Sequence, residues 1–196
     1  MYDKIKYFKG DLFALVDKVR ETKKCPIVIT HIVNNIGAWG SGFVVPLGRK
    51  YPQAKERYRA SVDWAKTTGT LGTTTTVIVE ESPNVVVHNM MAQEGTGGVR
   101  PLRYNSLVRC LEDSASRILA VMPENTEIIA PAFGSGLAGG NWKFIEDLIV
   151  DCWIRKGINV TICYIDGTLE LDPSIQVYDI DSYPLTDTPI DDGDKT

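Results

Sequence analysis

Residues Thr30–Leu47 have the sequence THIVNNIGAWGSGFVVPL, and this stretch decides the fold. It continues an apolar run, Pro26–Thr30, that is typical of a buried strand, and it leads into an amphipathic segment. Gly37, Gly40 and Gly42 let the backbone adopt conformations closed to other residues and approach a ligand closely. A glycine-rich turn between a strand and a helix directs backbone N–H groups towards one point, which suits a phosphate. The stretch therefore predicts an anion-binding loop.

Strand-like and helix-like segments alternate on both sides of this stretch. The predicted strands are Ile5–Lys9, Pro26–Val33, Gly72–Val79, Asn84–Met91, Thr126–Pro131 and Asn159–Ile165. The predicted helices begin at Asp11, Ala54, Tyr104 and Asn141, and the first and last of these residues are typical N-caps. A short polar link between the third and fourth strands predicts an antiparallel hairpin. The alternation predicts an α/β fold with a mixed, mostly parallel central sheet covered by helices on both faces.

Three glycine-rich loops each follow a predicted strand. They are Asn34–Gly42, Ala92–Pro101 and Phe133–Gly140. In open α/β sheets, ligands bind beyond the carboxyl ends of the strands. We therefore expect the three loops to gather at one edge of the sheet and to form a single ligand site.

The composition is typical of one globular domain. The chain has 196 residues, of which 43% are hydrophobic and 23% are charged, and this length is enough for one core. The net charge of −4 and the scattered Lys and Arg residues argue against general nucleic-acid binding. We predict a domain over residues 1–182 and an acidic, weakly ordered tail over residues 183–196.

The cysteines and the N-terminus predict a cytoplasmic protein. Cys25, Cys110, Cys152 and Cys163 are widely spaced among apolar neighbours and form no CxxC pair, which favours buried free thiols. The N-terminus has no apolar signal core, and no apolar run is long enough to span a membrane. Only two histidines are present, without a carboxylate cluster, so we expect neither a metal nor another cofactor.

Several common nucleotide and hydrolase motifs are missing from the sequence. No loop glycine is followed by Lys-Ser or Lys-Thr, so the P-loop signature is absent. Residues 134–139 have the GxGxxG spacing, but this loop comes late in the chain and does not follow the first strand, so the context of a dinucleotide dehydrogenase fingerprint is missing. Gly134-Ser135-Gly136 is similar to a GxSxG nucleophile elbow only superficially, because its spacing differs. These absences argue against ATP and NAD chemistry.

Three motifs together resemble those of the macrodomains, a family that binds ADP-ribose. Lys9–Leu12 is similar to the family's first-strand motif, and Ile32–Val44 to its asparagine-containing strand end and first phosphate loop. Pro131–Trp142 is similar to the second phosphate loop entering its helix. The resemblance spans roughly Ile5–Ile165 in the family's order and implies a three-layer α/β/α fold. With His31 three residues before Asn34, the sequence is most similar to the branch of the family that contains ADP-ribose 1''-phosphate phosphatases.

The resemblance also implies roles for individual residues. Asp11 would accept a hydrogen bond from the adenine amino group, Leu12 would offer a backbone donor, and Asn34 would hold the distal ribose. Backbone amides of Gly40–Val44 and Ser135–Gly139 would clamp the diphosphate without a cationic side chain. His31 and Asn34 are the predicted catalytic residues. The predicted ligand-binding residues are Asp11, Leu12, Asn35, Gly37, Trp39, Gly40, Ser41, Gly42, Phe43, Val44, Gln93, Ser135, Gly136, Leu137, Ala138, Gly139 and Tyr164.

Simpler structural interpretations stay open for several of these residues. Asp11 could serve only as a helix N-cap, and His31 could be a structural histidine satisfied by nearby polar groups. Trp39 could pack the loop onto the domain, and Gln93 could be a solvated loop residue. His88, in an apolar alternation, is assigned to the core or to a supporting role.

One departure from the family limits the chemistry. Related glycohydrolases use a lysine together with an aspartate after the glycine and leucine of the second phosphate loop. Here Ala138 stands at the aspartate position, and no lysine occurs between Lys66 and Lys143. We therefore predict that the protein binds ADP-ribose and its derivatives and hydrolyses ADP-ribose 1''-phosphate, with His31 protonating the leaving oxygen or orienting a water. The alternatives are removal of ADP-ribose from modified protein or nucleic acid, and a non-catalytic ADP-ribose reader.

Overall fold

The computed structural model describes residues 5–64, 70–98 and 101–185, which form seven strands and five α-helices. The strands are β1 (Lys6–Lys9), β2 (Ile27–Asn34), β3 (Thr74–Glu80), β4 (Val85–Gln93), β5 (Glu127–Pro131), β6 (Asn159–Tyr164) and β7 (Val177–Tyr178). The helices are α1 (Leu12–Lys23), α2 (Val44–Lys50), α3 (Pro52–Trp64), α4 (Tyr104–Val121) and α5 (Trp142–Cys152), and a 3-10 helix follows at Ile154–Lys156.

The seven strands form one sheet in the order β3-β4-β2-β5-β6-β1-β7. Every neighbouring pair is parallel except β3 and β4, which make the antiparallel hairpin that the sequence predicts. The prediction of a mixed, mostly parallel sheet is therefore confirmed. The carboxyl ends of β1, β2, β4, β5 and β6 lie at the same edge, because these five strands run in the same direction.

Helices cover both faces of this sheet. Successive strand residues point to opposite faces, so the fully buried Val28 belongs to one core and the fully buried Ile27 and Ile29 to the other. The first core includes residues of α4 and α5, and the second includes residues of α1, α2 and α3. The three-layer α/β/α arrangement is therefore confirmed.

Local signals in the sequence explain where α1 and α5 begin. The Asp11 carboxylate accepts a hydrogen bond from Phe13 N at 2.8 Å, and the Asn141 side chain accepts one from Lys143 N at 3.0 Å. Both residues are therefore the N-caps that the sequence predicts. All four cysteines are buried thiols, as predicted.

Two elements are not predicted by the sequence. Helix α2 contains Pro46 and Gly48, which have low helix propensity, and it is held by packing of the fully buried Leu47. Strand β7 has only two residues, too few for an alternating pattern, and it pairs in parallel with β1. Both elements depend on tertiary contacts rather than on local sequence.

The C-terminal segment packs onto the domain up to at least Tyr183. This side chain is only 3% exposed, its ring contacts Phe8 with centroids 6.1 Å apart, and its hydroxyl lies 2.6 Å from Thr161 Oγ1. The same hydroxyl donates to Glu127 Oε2 at 3.2 Å. Tyr183, the first residue of the predicted tail, is thus part of the core, while residues 186–196 lie outside the described ranges, so the tail stays a prediction.

Replacing Tyr183 with phenylalanine should lower the free energy of unfolding by about 1–2 kcal/mol, because the buried Glu127 and Thr161 then each lose a hydrogen-bond partner. Urea unfolding measures the change. Tyr178→Phe is the matched control, since the Tyr178 hydroxyl has no hydrogen-bond partner in the described part of the chain. Equal midpoints for the two variants would contradict the prediction.

In the ranges that the structure describes, no helix has both the length and the apolar character needed to cross a membrane.

Candidate functional site

The three glycine-rich loops meet at the carboxyl edge of the sheet. We call residues 35–43 loop 1, residues 94–98 together with 101–103 loop 2, and residues 132–141 loop 3. Asn35 N donates to Gln93 O at 3.0 Å, and Gly95 N donates to Asn35 Oδ1 at 2.9 Å, which joins loop 1 to the start of loop 2. Leu102 N donates to Ala138 O at 3.2 Å, which joins loop 2 to loop 3. The expectation that these loops gather at one edge of the sheet is therefore confirmed for the described residues, and their role as a ligand site stays a prediction.

Asn34, at the end of β2, organises loop 1 with its side chain. Its Nδ2 donates to Ala38 O at 2.7 Å, and its Oδ1 accepts from Ile36 N at 3.1 Å and from Ala38 N at 3.0 Å. The Tyr58 hydroxyl, reaching from α3, lies 2.8 Å from the same oxygen and 2.6 Å from Asn34 O. Both ends of the amide are thus engaged in holding the loop.

This geometry differs from the predicted role of Asn34 as a catalytic or ribose-binding residue. With Oδ1 accepting from two backbone amides, Asn34 is better placed to shape the loop than to bind a ligand. The neighbouring Asn35 uses only Oδ1, which accepts from Gly95 N, and its Nδ2 has no partner among the described residues. Asn35 is therefore the asparagine with a polar group available for a ligand.

His31 is buried, with 1% of its surface exposed. Its Nε2 lies 2.6 Å from Asn89 Oδ1, and Asn89 Nδ2 donates to Ala54 O at 3.1 Å. Because the Asn89 oxygen must therefore accept, His31 Nε2 carries the proton and Nδ1 is left as an acceptor. Nδ1 is buried and has no hydrogen-bond partner in the part of the chain that the structure describes. Burial lowers the pKa of His31 to about 4, and the hydrogen bond with Asn89 offsets only part of that effect, so the ring is neutral at neutral pH.

The surroundings of His31 favour the structural interpretation over direct catalysis. Its ring lies 5.6 Å from the Trp39 ring and 5.8 Å from the Phe43 ring, measured between centroids, and these side chains separate it from the loop surface. Proton transfer from His31 to a ligand would require loop 1 to move. Trp39 is itself only 9% exposed and packs against Tyr58, as expected if it anchors the loop to the domain.

Loops 1 and 3 each present a run of backbone amides without hydrogen-bond partners. Within the described ranges, the N–H groups of Gly40–Val44 and of 134–138 have no acceptor. The N–H of Gly139 differs from the prediction, because it donates to Gly136 O at 2.9 Å and is not free. A Cβ on Gly42 would lie 3.8 Å from Leu137 Cδ1, so the two loops face each other closely.

At two positions of loop 3 the surrounding atoms leave no room for a side chain, so only glycine fits. Gly134 has a φ of +83°, and a Cβ there would lie 2.9 Å from Ile145 Cδ1. A Cβ on Gly140 would lie 2.5 Å from Leu102 Cδ2 and 2.7 Å from Gly134 O. These positions let the loop turn tightly against α5 while its middle residues stay exposed.

Asp11, Leu12 and Tyr164 lie at the opposite end of the same edge. Gly10 N donates to Tyr164 O at 3.0 Å, which brings the ends of β1 and β6 together. Asp11 is exposed, and its cap uses Oδ1, so one carboxylate can cap α1 and still bind a ligand. The Leu12 N–H has no acceptor among the described residues, and Tyr164 is half-buried.

Two other predicted residues, Gln93 and Ala138, are less available to a ligand. Gln93 Nε2 donates to Gly95 O at 2.9 Å, so this side chain is held against its own loop. The side chain of Ala138 is only 4% exposed. His88 is buried beside Ser114 Oγ at 2.8 Å, which agrees with its assignment to the core. The described residues contain no group of three metal-binding side chains close enough to hold an ion.

A shallow cavity of about 600 Å³ lies at the amino edge of the sheet, away from the loops. It is lined by Arg20, Glu21, Lys24, Ser82 and Pro83. Arg20 is paired there with Glu80, and none of the predicted binding residues lines this cavity. We therefore assign the candidate site to the carboxyl edge.

Several residues that shape the site are not predicted by sequence reasoning. Tyr58 lies on α3, and its hydroxyl contact with Asn34 has no sequence signal. Asn89 lies in an apolar strand, where a polar residue is unusual and signals a buried hydrogen bond. The sequence around Gly48 does not show why glycine is needed there, because a Cβ at this position would clash with the Trp39 ring of loop 1.

Fold and site together define an α/β/α domain with glycine-rich loops at the carboxyl edge of its sheet, two of which present backbone amides that have no acceptor among the described residues. The sequence matches no family model and no curated protein. Two solved structures are similar along nearly their whole length. A Bacteroides thetaiotaomicron protein of unknown function is 36% identical with a TM-score of 0.71, covering 83% of this chain and 98% of the other. A macrodomain protein from Streptomyces coelicolor is 35% identical with a TM-score of 0.66, covering 82% and 99%. This chain belongs to the macrodomain family.

A more distant structure, DarTG of Thermosipho africanus, was solved in complex with ADP-ribose. It is 15% identical with a TM-score of 0.60, and the match covers 74% of this chain and 39% of that chain. At this identity the similarity shows a shared fold.

Proposed function

We propose that this protein binds ADP-ribose or a close derivative between loops 1 and 3. The observation that carries the proposal is the pair of opposed amide runs, Gly40–Val44 and 134–138, which have no acceptor among the described residues. Oriented amides bind an anion without a cationic side chain, and two such runs on either side of one gap suit a diphosphate. The presence of ADP-ribose in the distant DarTG structure supports this choice of ligand.

The order of the strands supports one orientation of the ligand along the carboxyl edge of the sheet. Asp11 follows β1, and Tyr164 is the last residue of β6. Loops 3 and 1 follow β5 and β2, and loop 2 follows β4. Neighbouring strands lie about 4.8 Å apart, so these strand ends cover about 19 Å. In our proposal adenine lies near Asp11, the diphosphate lies between loops 3 and 1, and the distal ribose lies near Asn35.

Two substitutions at Gly136 test this proposal. A Cβ on Gly136 would meet no atom within 4 Å, so neither alanine nor glutamate should disturb the fold. Calorimetry with ADP-ribose should show binding by the native protein and by Gly136→Ala. Gly136→Glu should weaken binding about 30-fold, because its carboxylate would lie beside the diphosphate. Absence of binding by the native protein at millimolar ADP-ribose would refute the proposed function.

Asp11→Ser separates ligand binding from helix capping. Serine is a good N-cap, so the free energy of unfolding should change by no more than about 0.5 kcal/mol. Binding of ADP-ribose should weaken about 10-fold, because the carboxylate that accepts from adenine is lost. Urea unfolding and calorimetry give the two values. Unchanged affinity in the serine variant would show that Asp11 is only a cap.

Our second proposal is that the protein hydrolyses ADP-ribose 1''-phosphate at the distal ribose. It is supported by the similarity of His31–Val44 to the phosphatase branch and by the absence of the lysine and aspartate of related glycohydrolases. Because His31 is buried under Trp39 and Phe43, we propose a positioning role for it. The four buried thiols support a cytoplasmic location for this activity.

Phosphate release from ADP-ribose 1''-phosphate tests this second proposal. The native protein should release phosphate, and His31→Gln, which keeps a donor for Asn89, should lose affinity and turnover together. Loss of turnover with intact binding would instead make His31 a proton donor, since such a group contributes about 10²–10⁴-fold. Binding without any phosphate release would refute the phosphatase, and assays on ADP-ribosylated protein and nucleic acid then distinguish a hydrolase from a reader.

A further inference from the structure

The exposed tip of loop 1, Gly40–Gly42, is anchored at both ends by aromatic rings. Trp39 precedes the tip and Phe43 follows it, and both rings contact the buried His31 ring with centroids 5.6 Å and 5.8 Å away. Phe43 also stacks on Phe13 of α1, with centroids 5.8 Å apart and planes 11° apart. The position of the tip therefore depends on where these two rings lie.

Packing holds Trp39 in place. Its Nε1 is buried and has no hydrogen-bond partner among the described residues, so none of these residues fixes the orientation of the indole by a polar contact. The ring instead lies among His31, Tyr58 and the backbone of α2 at Gly48. The shape of this slot therefore determines where the indole lies.

Gly48 forms the α2 side of the slot. A Cβ at this position would lie 2.6 Å from Trp39 Nε1 and 3.3 Å from Cε2, and the first distance is shorter than real Cβ contacts allow. The backbone of Gly48 is not in the left-handed region, so its conformation does not require glycine. Glycine inside a helix normally destabilises the helix relative to alanine. Space for the indole is the physical reason for glycine here.

We propose that Gly48 and Trp39 form a matched pair that holds loop 1 in its ligand-binding conformation. Gly48 is then a positioning residue for ADP-ribose, although it lies outside loop 1. The mechanism is direct: a side chain at residue 48 displaces the indole, the indole carries the start of the tip, and the amides of Gly40–Val44 move with it. The ligand part of this proposal rests on the proposed function.

Four proteins test the pair: the native chain, Gly48→Ala, Trp39→Leu and the double variant. Leucine lacks atoms at the Nε1 and Cε2 positions, so it leaves room for a Cβ on residue 48. Gly48→Ala alone should lower Tm by about 5–10 °C and weaken ADP-ribose binding about 10-fold. In the leucine background, the same alanine should raise Tm by a few degrees, as in an ordinary helix, and change the affinity by less than about 2-fold.

The Tm tests the packing of Trp39 on Gly48, and the affinity tests its effect on ADP-ribose binding, so this proposal and the proposed function can fail separately. A Tm raised by Gly48→Ala in the native background, or an equal affinity loss in both backgrounds, would overturn the matched pair. If the native protein binds no ADP-ribose, the proposed function fails together with the ligand part of this proposal. Opposite Tm shifts in the two backgrounds would support the packing of Trp39 on Gly48 even then.

Discussion

Gly140→Ala should lower the free energy of unfolding by about 3 kcal/mol and weaken ADP-ribose binding at least about 30-fold. The new Cβ would lie 2.5 Å from Leu102 Cδ2 and 2.7 Å from Gly134 O. Leu102 can change rotamer, but the Gly134 carbonyl accepts from Gly140 N at 2.8 Å and closes the loop. Relief of the clash therefore requires this hydrogen bond to break and loop 3 to open.

Binding should weaken because loop 3 carries one of the two amide runs. When residues 134–138 move, their N–H groups no longer face the same point, and the pre-organised anion site is lost. Gly136→Ala is the control, since the same change in the same loop meets no atom within 4 Å. Urea unfolding and calorimetry should leave that control close to the native protein. Native stability and affinity in Gly140→Ala would show that the loop adapts, contrary to the prediction.

The architecture could be predicted because its signals are local and repeated. Strand β2 is an apolar run, α1 and α5 have N-cap residues, and the β3–β4 link is short and polar. Each of these patterns is set by its own few residues, so it can be interpreted without tertiary information. The meeting of the loops at one edge followed from the parallel direction of the strands.

The elements that could not be predicted depend on distant partners. Helix α2 forms despite Pro46 and Gly48 because its Leu47 is buried in the core. Tyr183 lies in a polar segment, and its burial follows from Phe8, Thr161 and Glu127, which are remote in sequence. Composition alone could not show these contacts.

For the site too, the residue types could be predicted from the sequence, but the side-chain orientations could not. The positions of the exposed loops 1 and 3 in the sequence could be predicted from their glycine residues. The orientations of His31 and Asn34 could not, because they depend on Asn89, Tyr58 and the turn within loop 1. A sequence motif gives the residue type at a position, whereas the hydrogen-bond partners decide whether that side chain faces the ligand.

Acidification from about pH 7 to about pH 4.5 should destabilise the protein strongly, and the two buried histidines should cause much of the loss. Burial lowers the pKa of His31 and of His88 to about 4 in the folded state. In the unfolded chain both rings titrate near pH 6.5. Below that pH the unfolded state binds more protons than the folded state, so the free energy of unfolding falls with pH and levels off below the folded pKa.

The expected loss is about 3 kcal/mol for each ring once the pH reaches the folded pKa, which together is a large part of the stability of an ordinary domain. Urea unfolding at several pH values measures it. His88→Gln removes one titrating ring beside Ser114, and His31→Gln removes the other while keeping a donor for Asn89. Each variant should be less stable than the native protein near pH 7.5 but should lose less stability on acidification. If the native protein and the double variant lost stability equally between about pH 6.5 and about pH 4.5, carboxylates rather than the histidines would control acid unfolding.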